Sequence, residues 1–252
     1  MKWPIDWRVV ATMPSGRITA VFDVVHPTLG PVVVKRTRPE RNEQLQIQER
    51  IESEIDLLRR LGGRGWPRLF GRVCFPDGVG FVMERVPGHV LDWSSLTNSS
   101  AVAQVGLQIV DALRGLHSLG FAHRDLSPSN VLGVGGAAVC LCDLGIARAF
   151  GEQPTAVEGT LTTVPPGQAQ CRKVHETDDF QSLALLLAGL QQGTAIRPVE
   201  NRMAAINEAQ KESFPSLGEA IEPVEPIIRS LWEGQIDEAV KMMRVMIREY
   251  QA

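Results

Sequence analysis

Three oxygen-bearing side chains stand at short spacing in the middle of the chain. Asp125 and Asn130 lie within residues 123–130, which read H-R-D-L-S-P-S-N, and Asp143 follows an apolar run and precedes Leu144-Gly145. Phosphoryl transfer from a nucleoside triphosphate requires a carboxylate that orients the attacking hydroxyl and oxygen ligands for Mg²⁺. Asp and Asn are also common loop-capping residues. The joint spacing, more than any single residue, therefore indicates this chemistry.

The surrounding pattern predicts the elements that hold these residues. Alternating and β-branched residues predict strands at 7–10, 18–25, 31–35, 68–75 and 79–85, and helical periodicity predicts a helix over 40–61. Farther along, a helix should end at Gly120, short strands should lie at 130–132 and 138–142, and helices at 183–190 and 228–250. We expect a strand-rich front half with one helix, a hinge near residue 86 and a mostly helical back half.

Composition limits the class of protein. With 252 residues and 44% apolar content, the chain can form one large domain or two lobes sharing a cleft. A net charge of −3 argues against a general nucleic-acid or membrane-surface binder. The beginning of the chain lacks the apolar core of a signal peptide, and no apolar run reaches the ~18 residues of a membrane span. Four cysteines without zinc-site spacing are typical of reduced thiols, so we expect a cytoplasmic protein.

The segment H-R-D-L-S-P-S-N followed by D-L-G resembles the catalytic loop and magnesium motif of the protein kinase superfamily. The resemblance implies an α+β, bilobal protein-kinase-like fold. It has an antiparallel five-stranded N-lobe sheet with helix αC, and a mainly helical C-lobe. A single kinase domain would comprise an N-lobe at 1–86 and a C-lobe at 87–252. The implied cofactors are ATP and Mg²⁺.

The resemblance also assigns roles to catalytic residues. Asp125 would be the catalytic base, Asn130 and Asp143 would hold Mg²⁺, and Lys35 would hold the α- and β-phosphates. Glu54 would pair with Lys35. The periodicity of the helix independently indicates Glu54, because it is a carboxylate in an otherwise apolar stripe, where a charge is costly unless it is paired.

Further residues would contact the nucleotide. Met83 would be the gatekeeper, the backbone of Glu84 and Val86 would bond the adenine edge, and Leu132 would lie beneath the ring. The remaining implied contacts are Gly16, Val21 and Val33. Asp179 matches the residue that anchors the catalytic loop in this superfamily, and it could equally be a helix N-cap.

The chain departs from the family pattern at three places. Of the glycine-rich phosphate loop only Gly16 remains, with Pro14 and Thr19 at the other positions, so we expect a weaker or differently shaped ATP clamp. Ser127 replaces the usual catalytic-loop Lys, for which Arg172-Lys173 could compensate. The A-P-E motif becomes Pro165-Pro166-Gly167, so the Glu that fastens the activation segment is absent.

These features leave the acceptor open. Arg124, which usually binds a phosphorylated activation loop in this family, favours a serine/threonine protein kinase with a protein substrate. Thr155 and residues 160–163 would offer the hydroxyls for that phosphorylation. Ser127-Pro128-Ser129 fits an aminoglycoside- or choline-type small-molecule kinase, and the degenerate glycine loop fits a pseudokinase scaffold. The sequence predicts no oligomeric state.

Overall fold

A computed structural model describes residues 3–15, 18–41, 45–94, 96, 98–135, 138–197, 199–215 and 222–250. The chain divides into two compact units, Met1–Pro87 and Gly88–Ala252. Among the described residues, no helix has the length and apolar character needed to cross a bilayer.

The first unit contains the predicted five-stranded antiparallel sheet. Its strands are β1 (Arg8–Met13), β2 (Thr19–His26), β3 (Gly30–Thr37), β4 (Leu69–Phe75) and β5 (Gly78–Glu84), in the order β1-β2-β3-β5-β4. The predicted strands match these within a few residues, which is the usual uncertainty at strand ends.

The two faces of this sheet differ in character. In the register, Lys35 lies opposite Val21 and Phe81, and Val33 lies opposite Met83, so these residues share one face. The other face carries an apolar cluster. Its buried members are Ala20, Phe22, Val24, Val32, Val34, Phe75 and Val82, with Trp3 and Trp7 packed against them.

Arg36 lies fully buried on the clustered face. Its guanidinium lies 3.9 Å from the centre of the Phe75 ring and pairs with Asp77. The stacking and the carboxylate together compensate for burial of the charge.

The helix of the first unit, α1, spans Leu45–Leu61. Every member of the predicted stripe (Ile47, Ile51, Glu54, Leu58 and Leu61) is buried. The predicted start at residue 40 is wrong, because Pro39–Arg41 forms a separate 3₁₀ turn.

The second unit is mainly helical. Its helices are α2 (Ser99–His117), α3 (Pro166–Ala169), α4 (Glu176–Gln192), α5 (Arg202–Ala209), α6 (Glu225–Trp232) and α7 (Ile236–Glu249). Short strands β6 (His89–Val90), β8 (Val131–Gly133) and β9 (Val139–Leu141) form one small sheet, and β7 (Phe121–Ala122) pairs with β10 (Arg148–Ala149).

The predicted single helix over 228–250 is wrong. Gly234 adopts a left-handed φ of 77°, and the chain divides there into α6 and α7. A left-handed residue ends a helix readily when it is glycine. The apolar pattern continues on both sides, so periodicity alone did not reveal the break.

The close pairing of β3 and β5 gives a stability prediction. A Cβ at Gly80 would overlap the Lys35 backbone oxygen and lie 2.7 Å from Arg36 Cβ. We expect Gly80→Ala to lower the free energy of unfolding by about 1–3 kcal/mol, because the strands must separate. Urea unfolding measures this.

Gly71→Ala is the matched control, since nothing lies within 4 Å of a Cβ at Gly71 on the neighbouring β4. Equal stability losses in the two variants would contradict the account of Gly80.

Candidate active site

A buried ion pair joins β3 to α1 in the first unit. Lys35 Nζ lies 2.9 Å from Glu54 Oε1 and 2.8 Å from Oε2, and both side chains are at most 5% exposed. The pairing expected from the apolar stripe is therefore present. The pair fixes the ammonium group on the face of the sheet that also carries Val21, Val33 and Met83.

The other predicted nucleotide contacts in this unit are only partly described. Gly16 lies outside the described residues, and Val86 is half-buried. The Glu84 backbone amide donates to Arg68 O at 2.8 Å. A bound base could not use this amide without breaking that bond.

The catalytic-loop segment of the second unit rests on one buried carboxylate. Asp179 Oδ2 accepts the His123 amide and Asp179 Oδ1 accepts the Arg124 amide, each at 2.8 Å. Arg124 has a left-handed φ of 70°, a conformation that costs a non-glycine residue about 1–3 kcal/mol unless the surroundings enforce it. The two hydrogen bonds provide that enforcement.

The structure thus decides between the two interpretations of Asp179. Helix α4 begins with His175 as N-cap, whose side chain accepts from the Thr177 amide. The N-cap interpretation of Asp179 is wrong, and the loop anchor is confirmed.

Asp179 remains ionised at full burial. Burial alone would raise its pKa, but the hydrogen bonds from His117 Nε2 and from the Arg124 amide, each at 2.8 Å, outweigh it. The pKa of Asp179 therefore lies below its usual value, and both oxygens act as acceptors.

Asp125 follows Arg124 and is held on both carboxylate oxygens. Its Oδ1 accepts from the Thr160 amide at 2.8 Å and from Thr160 Oγ1 at 2.7 Å, and its Oδ2 accepts from Asn130 Nδ2 at 3.0 Å. Asn130 Nδ2 also donates to Asp125 O at 2.8 Å. Asp125 is only partly buried, and these hydrogen bonds fix the orientation of its carboxylate.

His123 connects this loop to the strand that carries Asp143. Its Nδ1 accepts the Asp125 amide at 3.1 Å, and its Nε2 donates to Cys142 O at 3.3 Å. The Cys142 amide donates to Asn130 O at 3.0 Å. Asp143, with a left-handed φ of 67°, follows immediately and is exposed. Hydrogen bonds through His123 and Cys142 therefore connect the loop that carries Asp125 and Asn130 to the strand end that carries Asp143.

Leu132 lies partly buried in β8, two residues after Asn130. At the position of the missing Lys, Ser127 is buried, and its Oγ lies 2.8 Å from Ser129 Oγ. Arg172, the suggested replacement cation, pairs instead with Glu212. Its position gives no support to a compensating role.

The segment after β10, at residues 158–168, is fastened to the catalytic loop by Gln168, Gly159 and Thr160. Gln168 Nε2 donates to Arg124 O at 2.8 Å and to Glu158 O at 2.7 Å. Gly159 has a φ of 92°, and a Cβ there would lie 2.7 Å from Arg124 O, so only glycine fits. Thr160 then reaches Asp125. No pattern in the sequence identified Gln168, because its partners Arg124 O and Glu158 O are backbone groups distant along the chain.

The end of this segment is anchored without the usual Glu. Arg197 Nη1 donates to Val164 O at 2.8 Å, and its guanidinium lies 5.7 Å from the centre of the Trp232 ring. Burial lowers the pKa of Arg197 to about 10. Gly167 leaves room for Asp178, whose Oδ1 occupies the space that a Cβ at position 167 would need.

Comparisons with known proteins bear on nearly the whole chain. The model of the family described as "Protein kinase domain" matches residues 7–250. The chain is 27% identical over 241 residues to probable serine/threonine-protein kinase PkwA of Thermomonospora curvata, covering 92% of this chain and 32% of that protein. With PknA of Corynebacterium glutamicum, named a serine/threonine-protein kinase, identity is 27% over 232 residues, covering 84% and 49%.

Serine/threonine-protein kinase 36 of Pongo abelii is 35% identical over 194 residues, covering 75% of this chain and 15% of that protein. The chain thus spans less than half the length of each of these relatives. Together with the antiparallel sheet and the helical second unit, the match over residues 7–250 confirms the predicted protein-kinase-like α+β fold.

Asp178 gives a pH prediction. Burial, followed by the charge of Asp179, raises its pKa from 3.8 to about 6. The folded state therefore holds the proton more tightly than the unfolded chain, and stability present at low pH is lost as the pH rises through 6. Asp178→Asn removes this loss. Relative to wild type, the variant should gain about 2 kcal/mol of unfolding free energy between pH 4.5 and pH 7.5.

Urea unfolding of both proteins at the two pH values measures the difference, in which the other titrating groups cancel. The same stability difference at both pH values would contradict the raised pKa.

Proposed function

This chain belongs to the protein kinase domain family, and on that premise we propose that it is an ATP-dependent serine/threonine protein kinase. It transfers the γ-phosphate of ATP to a hydroxyl group of a protein substrate. The observation that carries the proposal is the Asp125 carboxylate, held by Thr160 on one oxygen and by Asn130 on the other.

Asp125 acts as the catalytic base. The hydroxyl oxygen of the acceptor attacks the γ-phosphorus while the bond from phosphorus to the β,γ-bridging oxygen breaks, and ADP leaves. The hydroxyl proton passes to the Asp125 carboxylate. Hydrogen bonds to both oxygens fix the direction in which the carboxylate accepts that proton, which places the acceptor for reaction.

Asn130 and Asp143 fit a magnesium site. Asn130 donates through Nδ2 to Asp125, which leaves its amide oxygen as the ligand atom, and Asp143 offers an exposed carboxylate. Oxygen donors of this type suit Mg²⁺. When bound, the ion supplies charge neutralisation to the triphosphate. Lys35, fixed by Glu54, adds a positive charge for the α- and β-phosphates.

A protein acceptor is favoured over a small molecule. Residues 158–162 are partly exposed next to Asp125, and this stretch is fastened through Gln168, Gly159 and Thr160. The relatives carry names of serine/threonine-protein kinases. A partly exposed stretch of backbone beside the base suits a peptide that presents its hydroxyl. The presence of Lys35, Glu54, Asp125, Asn130 and Asp143 together also favours turnover over a scaffold role.

One assay tests the proposal. The pure protein is incubated with Mg-ATP and a generic protein substrate, and phosphate incorporation into both proteins is followed by mass spectrometry. Asp125→Asn should reduce transfer by about a hundredfold or more while ATP binding persists, because loss of a general base costs that much. Asp111→Asn, which alters an exposed carboxylate on α2, is the control and should retain transfer.

The alternatives give different results. Turnover only with a small alcohol or amine as acceptor would indicate a small-molecule kinase. If the protein neither binds ATP nor turns it over at any magnesium concentration, both kinase proposals are refuted and the scaffold role remains.

A further inference from the structure

A carboxylate of the first unit lies on the same face of the sheet as Lys35. Asp23 in β2 stands directly opposite Val33 in β3. Two residues earlier in β2, Val21 stands opposite Lys35. Residues opposite each other in an antiparallel pair share a face, and two residues of a strand span about 7 Å. The Asp23 carboxylate therefore belongs to the face on which the proposed function places the nucleotide.

Arg85 supplies the opposite charge to Asp23. Its Nε lies 2.9 Å from Asp23 Oδ2, and the Asp23 side chain is 17% exposed, against 49% for that of Arg85. Among the residues that the structure describes, Arg85 is the only ion-pair partner of Asp23. Asp is depleted in strands, and a partly buried carboxylate is costly unless it is paired. The arginine therefore stabilises the negative charge at this place.

The backbone just before Arg85 is fixed by β4. The Glu84 amide donates to Arg68 O at 2.8 Å, and Glu84 Oε2 accepts the Arg68 amide at 3.1 Å. Glu84 also stands opposite Val32 at the end of β5. The strand order is β2-β3-β5, so the Arg85 side chain must pass β3 to reach β2. The ion pair with Asp23 therefore crosses β3 at its end near Val32.

A bound triphosphate makes the neutralisation of Asp23 important. Mg-ATP carries a net negative charge. The charges of Lys35 and Glu54 cancel within their own pair, so they do not offset a further carboxylate. An unpaired carboxylate about 7–10 Å from the phosphates repels them, with an effect of about three- to tenfold on affinity. Adenosine carries no charge and is not repelled.

We infer that Arg85 determines the affinity of the first unit for the triphosphate, because its guanidinium neutralises Asp23, which otherwise repels the phosphates of ATP. This inference rests on the proposed kinase function for the identity of the nucleotide, but it concerns binding and not turnover. Arg85 acts through Asp23, so its effect depends on the presence of that carboxylate.

The first measurement is the binding of Mg-ATP and of adenosine to the full chain by isothermal titration calorimetry. Arg85→Gln removes the charge. We expect its dissociation constant for Mg-ATP to rise about three- to tenfold, and that for adenosine to stay within about twofold of wild type. Arg85→Lys retains the charge and should bind both ligands like wild type. Arg60→Gln, which removes an arginine from an exposed pair on α1, is the control for net charge and should also bind like wild type.

A double variant separates the effect of charge from an effect on the shape of the backbone. Asp23→Asn alone should bind Mg-ATP at least as tightly as wild type. Asp23→Asn combined with Arg85→Gln should return to within about twofold of wild type, because no carboxylate remains to be neutralised. Thermal unfolding of each variant shows that it is folded at the temperature of the titration.

The outcomes distinguish this inference from the proposed function. Unchanged Mg-ATP affinity in Arg85→Gln would overturn the inference. Equal weakening of adenosine binding, or a double variant as weak as Arg85→Gln, would also overturn it, since either result means that the pair shapes the backbone. A wild type that binds neither ligand would refute the proposed function together with the inference. The expected binding pattern in a protein that transfers no phosphate would support the inference and refute the proposed function alone.

Discussion

The two hydrogen bonds from the His123 and Arg124 amides to Asp179 are the interaction on which the second unit's chemistry depends. Asp179 is fully buried, and the hydrogen bonds from His117 and the Arg124 amide hold its pKa low against the effect of burial. An ionised acceptor of this kind can enforce the left-handed backbone of Arg124. Asp125 follows that turn directly, and its carboxylate is bonded by Thr160 and Asn130.

The other contacts of the catalytic loop lie on either side of this turn. His123 bonds to Cys142 O and thereby holds the backbone next to Asp143. Asn130 donates to Asp125 O at the other end of the loop. On the other side, Gln168 bonds Arg124 O and Thr160 bonds Asp125. Near Gly167, where the family pattern has Glu, the segment is held by the hydrogen bond from Arg197 to Val164 O.

The sequence predicted the parts that local patterns encode. Alternation gave the five strands, and the cost of a carboxylate in an apolar stripe identified Glu54 as the partner of Lys35. The spacing of Asp125, Asn130 and Asp143 indicated their shared chemistry. Glu158, Gln168 and Arg197 could not be found in this way, because their contacts arise when irregular segments fold onto distant backbone groups. Periodicity also misses a break such as Gly234, where one backbone angle changes while the apolar pattern continues.

The most direct test of this account is the rate of single-turnover phosphoryl transfer by Asp179→Asn, compared with that of wild type. Thermal unfolding of both proteins first shows that the variant is folded at the temperature of the assay. The substitution retains the shape of the side chain but places an amide group against one of the two loop amides. We expect ATP affinity to persist and the transfer rate to fall about a hundredfold, since small displacements of a catalytic group have effects of this size. A transfer rate equal to that of wild type would contradict the claim that Asp179 positions the catalytic loop.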